Sequence, residues 1–413
     1  MRDGIIAVLD VGSSKAACII ARVEPDGSVL VLGIGNRACE GVRSGAVTDM
    51  AATEEAIRTA VDQAERMAGV SVEGVTLLCA AGYPKSRIVE MEVAIDRHEI
   101  TQADIEHAIA EARSKMDIAD QRLLHNFPAA FAVDGTFGVK NPAGMTATTL
   151  SVAMHVITVS EGPVKNLERC VQRAHLEVDD VIVSPYASGL ASLVDDELQI
   201  GAACVDIGGG TTDVSIFAQG AMVHAEVLPQ GGRAVTEEIA RHLLTPIGQA
   251  ERLKTLAGSA ICDPAHERDF VDVPQVGENS VGGNLRRVPR SELTAIMQAE
   301  YERQFMRLGT RLDAMGFVGP AGQHVVLTGG AALSERIRDL AQQILGRHVR
   351  IARHRGIPGL PESAQGPQFS AVIGLLGHAI RGEAGRTNQK QRKRQKNTQN
   401  LAGKVTEWFR RNF

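Results

Sequence analysis

Aromatic side chains are scarce in this chain of 413 residues: they form 3% of it, and the one tryptophan is Trp408. Long apolar runs are missing too. No segment approaches the ~20 apolar residues that a membrane-spanning helix needs. An apolar content of 44% with near-neutral mean hydropathy excludes both a polytopic membrane protein and a mostly disordered one. The opening Met1-Arg-Asp-Gly-Ile-Ile-Ala-Val-Leu-Asp10 is too short in its apolar run, and too soon acidic, for a secretory signal. The six cysteines (Cys18, Cys39, Cys79, Cys170, Cys204, Cys262) are dispersed, with no C-x-x-C pair. They read as reduced thiols in core elements, so a cytoplasmic protein is expected and a zinc site is not. Also absent are G-x-x-x-x-G-K-[ST] and H-E-x-x-H, and the twelve histidines show no ligand spacing. Gly33-Ile-Gly-Asn-Arg-Ala38 only approaches the dinucleotide fingerprint, because no strand–helix–strand register follows it.

The length suits two domains, each able to bury a core. The net charge of −5 averages two unlike parts. Residues 386–413 hold nine Lys or Arg against one acid, Glu407, a net +8 that leaves −13 on residues 1–385. An acidic body excludes nucleic acid as the main partner, since phosphate neutralisation needs a basic face. The basic tail calls for an anionic partner of its own.

Ile5–Asp10, Ala16–Val23 and Val29–Ile34 read as strands, with Pro25-Asp-Gly27 turning between the last two. Apolar spacing predicts a helix over Thr53–Met67, then a strand at Val75–Ala80. Residues 83–160 look inserted: strand Arg87–Ile95, a helix capped at Thr101 with Asp104 three residues on, and strands Leu123–Val133 and Thr146–Val159. A helix at Val164–Ala174 and a strand Val181–Ser184 running into Pro185 follow. The second half repeats the opening, with strands at Gly201–Asp206, Asp213–Phe217 and Ala221–Leu228. Helices are expected at about 233–244, 249–256 and Arg290–Met315, then strand Val325–Thr328 and helices Leu333–Leu345 and Ser370–Ile380.

Asp10-Val-Gly12-Ser13-Ser14-Lys15 and Asp206-Ile-Gly208-Gly209-Gly210-Thr211-Thr212-Asp213 share one design. Each is an apolar strand ending in Asp, then a Gly/Ser/Thr turn, then another strand. Such turns bring backbone N–H groups and hydroxyls close to an anion. Two of them face to face would clamp a polyphosphate, and Asp10, Asp206 and Asp213 would hold Mg²⁺ through its waters. A third element, Val325-Val-Leu-Thr328-Gly329-Gly330-Ala331, places a Gly-Gly pair between a strand and the expected helix, where backbone meets a planar ligand or phosphate. Gly231, Gly232, Glu251 and Lys254 are candidates for ribose and base contacts. Glu251 and Lys254 also fit an ordinary i, i+3 ion pair.

These three elements, in this order over residues 5–333, resemble the actin/sugar-kinase/heat-shock-chaperone ATPase superfamily. Within it, the chain resembles the bacterial cell-division FtsA family. The narrower likeness rests on Leu228-Pro-Gln-Gly-Gly-Arg-Ala-Val-Thr-Glu-Glu-Ile-Ala240 with Ala250-Glu-Arg-Leu-Lys254, on an insert at 83–160 rather than directly after the first sheet, and on the tail. The resemblance implies a duplicated, ribonuclease-H-like two-domain α/β fold with a relocated α+β subdomain and a C-terminal amphipathic helix. Its divisions would be 1–82 and 161–190 (subdomain 1A), 83–160 (1C), 191–225 (2A), 226–300 (2B), 301–382 (the rest of 2A and the closing 1A helix), a disordered linker at 383–400 and the helix 401–413. It further implies ATP with Mg²⁺, filaments of the chain itself, docking of the FtsZ C-terminal peptide around 226–300, and recruitment of later division proteins. Hydrolytic members of the superfamily often carry a Glu where this chain has Ser184 before Pro185. A serine is no carboxylate base, so tight ATP·Mg²⁺ binding with slow or negligible hydrolysis is expected, Asp206 being the candidate to orient water and Asp10 its catalytic partner.

On a helix at 100° per residue, Leu401, Ala402, Val405, Trp408, Phe409 and Phe413 share one side, interrupted by Asn412. Lys404, Thr406, Glu407, Arg410 and Arg411 take the other. Thirteen residues reach about 20 Å, too short to cross a bilayer. The pattern predicts a helix lying in the interface of an anionic membrane, and the resemblance implies a peripheral protein on the cytoplasmic face of the inner membrane at the division site. Two other readings stand beside this one. One is a metabolic kinase of the same superfamily, for which no general-base Asp can be nominated. The other is an actin-like adaptor of another envelope machine such as pilus assembly.

Overall fold

In the strand Ile5–Val11, Ile6 and Val8 point into one core while Ala7, Leu9 and Val11 point into another. Both faces are therefore covered, as a near-continuous apolar run requires. The computed structural model describes residues 4–381 apart from 25, 97, 117, 119–120, 278–284, 320–321 and 355–356. The expected linker 383–400 and amphipathic segment 401–413 lie outside the described residues.

The first sheet runs in the order Glu177–Val183, Gly74–Cys79, Ile5–Val11, Lys15–Val23, Val29–Ala38. The second runs His348–Ile351, His324–Thr328, Ala202–Ile207, Thr212–Ala218, Ala221–Leu228. In each, the first three strands are parallel and the last three antiparallel. One five-stranded unit has thus been built twice, the duplicated arrangement expected.

Helices Met50–Ala68 and Glu161–Arg173 cover one face of the first sheet. The other face carries Ser184–Ser192 and a final helix over residues 370–381. The second sheet is covered by Gly232–Leu243, Arg290–Ala314 and Ile337–Leu345, whose Val235, Ile239, Tyr301, Phe305 and Leu340 share its core. Between the halves an antiparallel sheet, ordered Lys85–Ala94, Thr149–Ser160, Gln121–Val133, Thr136–Val139, packs under the helix Gln102–Ser114. That helix starts in the expected capping box: Asp104 N–H donates to Thr101 Oγ1 at 3.3 Å, and Thr101 N–H donates to Asp104 Oδ2 at 2.8 Å. The insert also touches the second half, where Ala225 N–H donates to Ser86 Oγ at 3.1 Å.

Three local expectations need correction. Ser184 does not end a strand; with Pro185 at the first turn, it opens a helix that runs to Ser192. The helix expected at Leu333–Leu345 starts only at Ile337, because Arg336 takes a left-handed conformation and breaks the run. Gly330–Leu333 is a single 3₁₀ turn, so the Gly-Gly pair does not open an α-helix. The short hairpin Phe270–Pro274/Leu285–Pro289 was not anticipated. The helix Arg290–Ala314 runs through the 300/301 division expected from sequence.

Candidate functional site

The two Gly-rich turns have the same hydrogen-bond closure. Gly12 N–H donates to Lys15 O at 2.9 Å, and Gly208 N–H donates to Thr211 O at 2.9 Å. Each joins antiparallel strands whose register pairs the catalytic-candidate Asp with its partner strand: Asp10 opposite Ala17, Asp206 opposite Asp213. The turns face each other across the two halves. A methyl group added at Gly210 would lie 2.5 Å from Ser13 Oγ, and one at Gly209 would lie 2.8 Å from Ser14 Cβ. Glycine at both positions is what lets the halves approach.

Beneath the turns lie three carboxylates and one ammonium. Asp206 and Asp213 are buried and Asp10 is partly so. Burial raises Asp10 to about 6, opposed by Lys15 and reinforced by Asp206. Asp206 and Asp213 are both pushed up chiefly by burial, and the neighbouring Asp206 charge raises Asp213 further. Lys15 is lowered to about 8 by burial, against the pull of Asp10 and Asp206. Its Nζ donates to Gln368 O at 2.8 Å and sits 3.4 Å from the centre of the Phe369 ring.

The helix Ser184–Ser192 braces these acids from behind. Ser184 neighbours Asp213, and one turn later Ser188 Oγ donates to Asp206 Oδ2 at 2.5 Å. Asp213 Oδ1 is buried with no hydrogen-bond partner among the described residues. Among the described residues no three carboxylate, imidazole or thiolate groups converge closely enough to ligate a metal directly. Hard oxygen donors with one unfilled acceptor suit a hydrated divalent cation, held through water. Ser188→Ala is expected to lower unfolding free energy by roughly 1–3 kcal/mol, the cost of leaving a buried carboxylate oxygen unpartnered. Urea titration would measure it, with the exposed Ser14→Ala as a control close to wild type.

The third element meets the same cluster. Gly329 N–H donates to Pro367 O at 3.0 Å, and Thr328 Oγ1 donates to the same carbonyl at 3.1 Å. A methyl at Gly329 would lie 2.3 Å from Asp206 Oδ1, whereas one at Gly330 would meet only Gln368 Cβ at 4.0 Å. Gly232 N–H and Arg233 N–H donate to Gly208 O and Gly209 O at 2.9 and 2.8 Å, so the second turn is locked onto the start of the next helix. Thr212 is engaged as well, donating to Gln230 O at 2.8 Å. Lys254 Nζ reaches Glu251 Oε2 at 2.7 Å, Thr236 Oγ1 at 2.8 Å and Gly232 O at 3.1 Å. The i, i+3 ion pair is therefore present, and it sits against Gly232, which a methyl group would bring to 3.6 Å from both Lys254 Nζ and Ala331 Cβ.

Asp10, Gly12–Lys15, Asp206, Gly208–Asp213, Gly231, Gly232, Lys254, Gly329 and Ala331 thus gather where the two halves meet, with Glu251 and Gly330 at the exposed margin. Leu401, Lys404, Val405, Trp408, Phe409, Arg410, Arg411 and Phe413 lie outside the described residues. Sequence reasoning missed Ser188, Gln368 and Phe369. The spacing of Ser184, Ser188 and Ser192, every fourth residue, was the available signal for the first; nothing local marks the other two.

Two copies of a five-stranded unit whose hairpin turns meet over buried carboxylates define the actin-like class of fold. Solved structures agree: a chain of a "PilM-PilN type IV pilus biogenesis complex" superposes with TM-score 0.62 at 16% identity, over 91% of this chain and 98% of its own. MreB5 of Spiroplasma citri bound to ADP gives 0.54 at 14% identity, over 94% and 100%. The family described as "Cell division protein FtsA" matches residues 203–374, and "SHS2 domain inserted in FTSA" matches 81–158. "Cell division protein FtsA" of Rhizobium meliloti (strain 1021) is 40% identical over 385 residues, 91% of this chain and 87% of that protein. Its namesake in Escherichia coli (strain K12) is 32% identical over 379 residues, 90% and 89%. The chain belongs to the FtsA family of cell-division proteins.

Proposed function

We propose that the chain binds ATP with Mg²⁺ between its two halves, polymerises, and ties the tubulin-like FtsZ to the cytoplasmic membrane while recruiting later division proteins. The observation that carries this reading is the pair of identically closed turns facing each other over Asp10, Asp206 and Asp213. Ser13, Ser14, Thr211 and the turn amides offer donors to the phosphates. Mg²⁺ would sit near the three acids through water and neutralise phosphate charge. Gly329, Ala331, Gly232 and Lys254 line the side where adenosine fits. Ser184 in place of a carboxylate favours binding over turnover. ATP then acts as an assembly ligand, through unequal affinity for two arrangements of the halves. Calorimetric titration with ATP, with and without Mg²⁺, tests this; no binding in either condition overturns it.

FtsZ's C-terminal peptide is assigned to the region 226–300, and the insert to contacts with neighbouring subunits or later division proteins. The tail is assigned to anionic lipid. Each cation near such a surface contributes about 1 kcal/mol, and each large buried side chain about 1.5–3 kcal/mol, offset by ordering a short helix. One tail binds weakly and reversibly, and a filament's row of tails binds far more tightly through effective concentration. Trp408→Glu is expected to abolish co-sedimentation with anionic vesicles. Retained binding would mean that the tail is not the anchor.

A further inference from the structure

A cavity of about 860 Å³ opens at the edge of the first sheet opposite the Gly-rich turns. It forms where the starts of three parallel strands, Ile5–Val11, Gly74–Cys79 and Glu177–Val183, meet the ends of the helices Met50–Ala68 and 370–381. Its floor is apolar, from Ile6, Val70, Val72 and Ala379. Its rim is acidic, from Asp62, Glu65, Glu73, Glu177, Asp179 and Asp180, against Arg66 and His378. Two of the acids are engaged within the wall: Glu65 Oε1 accepts from Val72 N–H at 2.7 Å, and Asp180 faces His378 Nε2 at 3.8 Å. Asp62, Glu73, Glu177 and Asp179 are exposed. The helix 50–68 ends here at Gly69, and its carboxyl terminus adds partial negative charge.

The described part of the chain ends at this wall. His378 and Ala379 line the cavity, and the described residues end at Arg381. Beyond them, residues 386–413 carry nine Lys or Arg and one acid, six of the cations within 386–396 and the apolar residues within 401–413. Lys390 is nine residues past Arg381, a reach of at most about 30 Å. A short tether of this kind gives two ends of one chain an effective concentration in the millimolar range. The apolar floor with an acidic rim complements an apolar, basic segment in both respects.

We propose that residues 386–413 of the same chain seat in this cavity, their cations on the exposed rim carboxylates and their apolar side chains on the floor. The seat competes with anionic lipid for the same tail, so the tail is withheld until a membrane draws it out. Only that competition rests on the membrane reading; the intramolecular contact stands without it.

Carbodiimide joins lysines directly to carboxylates that touch them, so it reads the contact on the full chain without vesicles. After isolation of monomer, peptide mapping is expected to find Lys390, Lys393 or Lys396 joined to Asp62, Glu73, Glu177 or Asp179. The yield should fall at least about threefold between 0.1 and 1 M salt, as the screening length drops from about 10 Å to about 3 Å. The variant Asp62→Asn/Glu73→Gln/Glu177→Gln/Asp179→Asn should lose these links and bind anionic vesicles more tightly. If the tail is seated three-quarters of the time, the gain is about fourfold. Neutral rather than basic replacements keep the body from attracting the vesicles itself. Links spread evenly over the body, links confined to cross-linked dimers, or vesicle binding that is measurable but equal in wild type and variant would each overturn the proposal. Should wild type and variant both ignore vesicles, the membrane reading fails and the cross-links still decide this one.

Discussion

Replacing Gly329 with alanine is expected to abolish ATP binding in a calorimetric titration and to lower unfolding free energy by about 2–6 kcal/mol. The residue holds φ 86° and ψ 173°, a region only glycine occupies without strain, costing others about 1–3 kcal/mol. The added methyl would also press 2.3 Å from Asp206 Oδ1 and 2.5 Å from Ile207 O. Neither can yield easily, since Asp206 is pinned by Ser188 and Ile207 lies in a central strand. Overpacking of this kind adds about 1–3 kcal/mol. Gly330→Ala is the control. Its neighbour is a distant Gln368 Cβ and its backbone is not left-handed, so affinity and stability should stay close to wild type. If Gly329→Ala binds ATP normally, the nucleotide does not bind beside Asp206.

The second large effect is linkage between pH, Mg²⁺ and stability. Asp10 has a folded pKa of about 6 against an ordinary 3.8. Between those values the native state holds the proton that the unfolded chain has released. Stability therefore falls as pH rises from about 4 through about 6, by about 3 kcal/mol for a shift of that size. Asp206 and Asp213 shift in the same direction and carry the loss to higher pH. Lys15 works in the opposite sense, and only above its folded value of about 8. Glu197, Asp180 and Asp104, whose pKa values are lowered, also oppose the trend. The measurement is therefore the difference between wild type and Asp10→Asn across pH 4 to 8, which cancels them. ATP with Mg²⁺ should stabilise the protein more at pH 8 than at pH 5, because a bound cation favours ionised carboxylates. Equal stabilisation at both would remove the acids from the cation site.

The repeated hairpins were legible because their chemistry is local: a strand, an Asp and a Gly/Ser/Thr turn fall within a dozen residues at Asp10 and again at Asp206. The capping box at Thr101 was legible for the same reason. The bracing of the acids was not. Ser188 reaches Asp206 only because a helix begins at Ser184, where a strand running into Pro185 was expected; that proline is instead a first-turn residue. Gln368 and Phe369 reach Lys15 across 353 residues of sequence, a pairing no spacing can announce. Arg336 hid the true start of its helix, since a left-handed arginine has no sequence signature. The proposed seat for the tail is likewise assembled from three strands and two helices that are distant in sequence.

The final helix carries a consequence for synthesis. Val372, Ile373, Leu375, Leu376 and Ile380 complete a core whose other members include Ile6, Val8 and Ile19. The first half, begun by the earliest residues, therefore cannot close until almost the whole chain exists. At about 5–20 residues per second, that wait is roughly 20–80 s for a chain of 413 residues. The second half, continuous from about residue 200 to 351, can finish before the first. A nascent chain is thus left with an open apolar sheet for most of its time on the ribosome, and that interval is when chaperones have the most to hold.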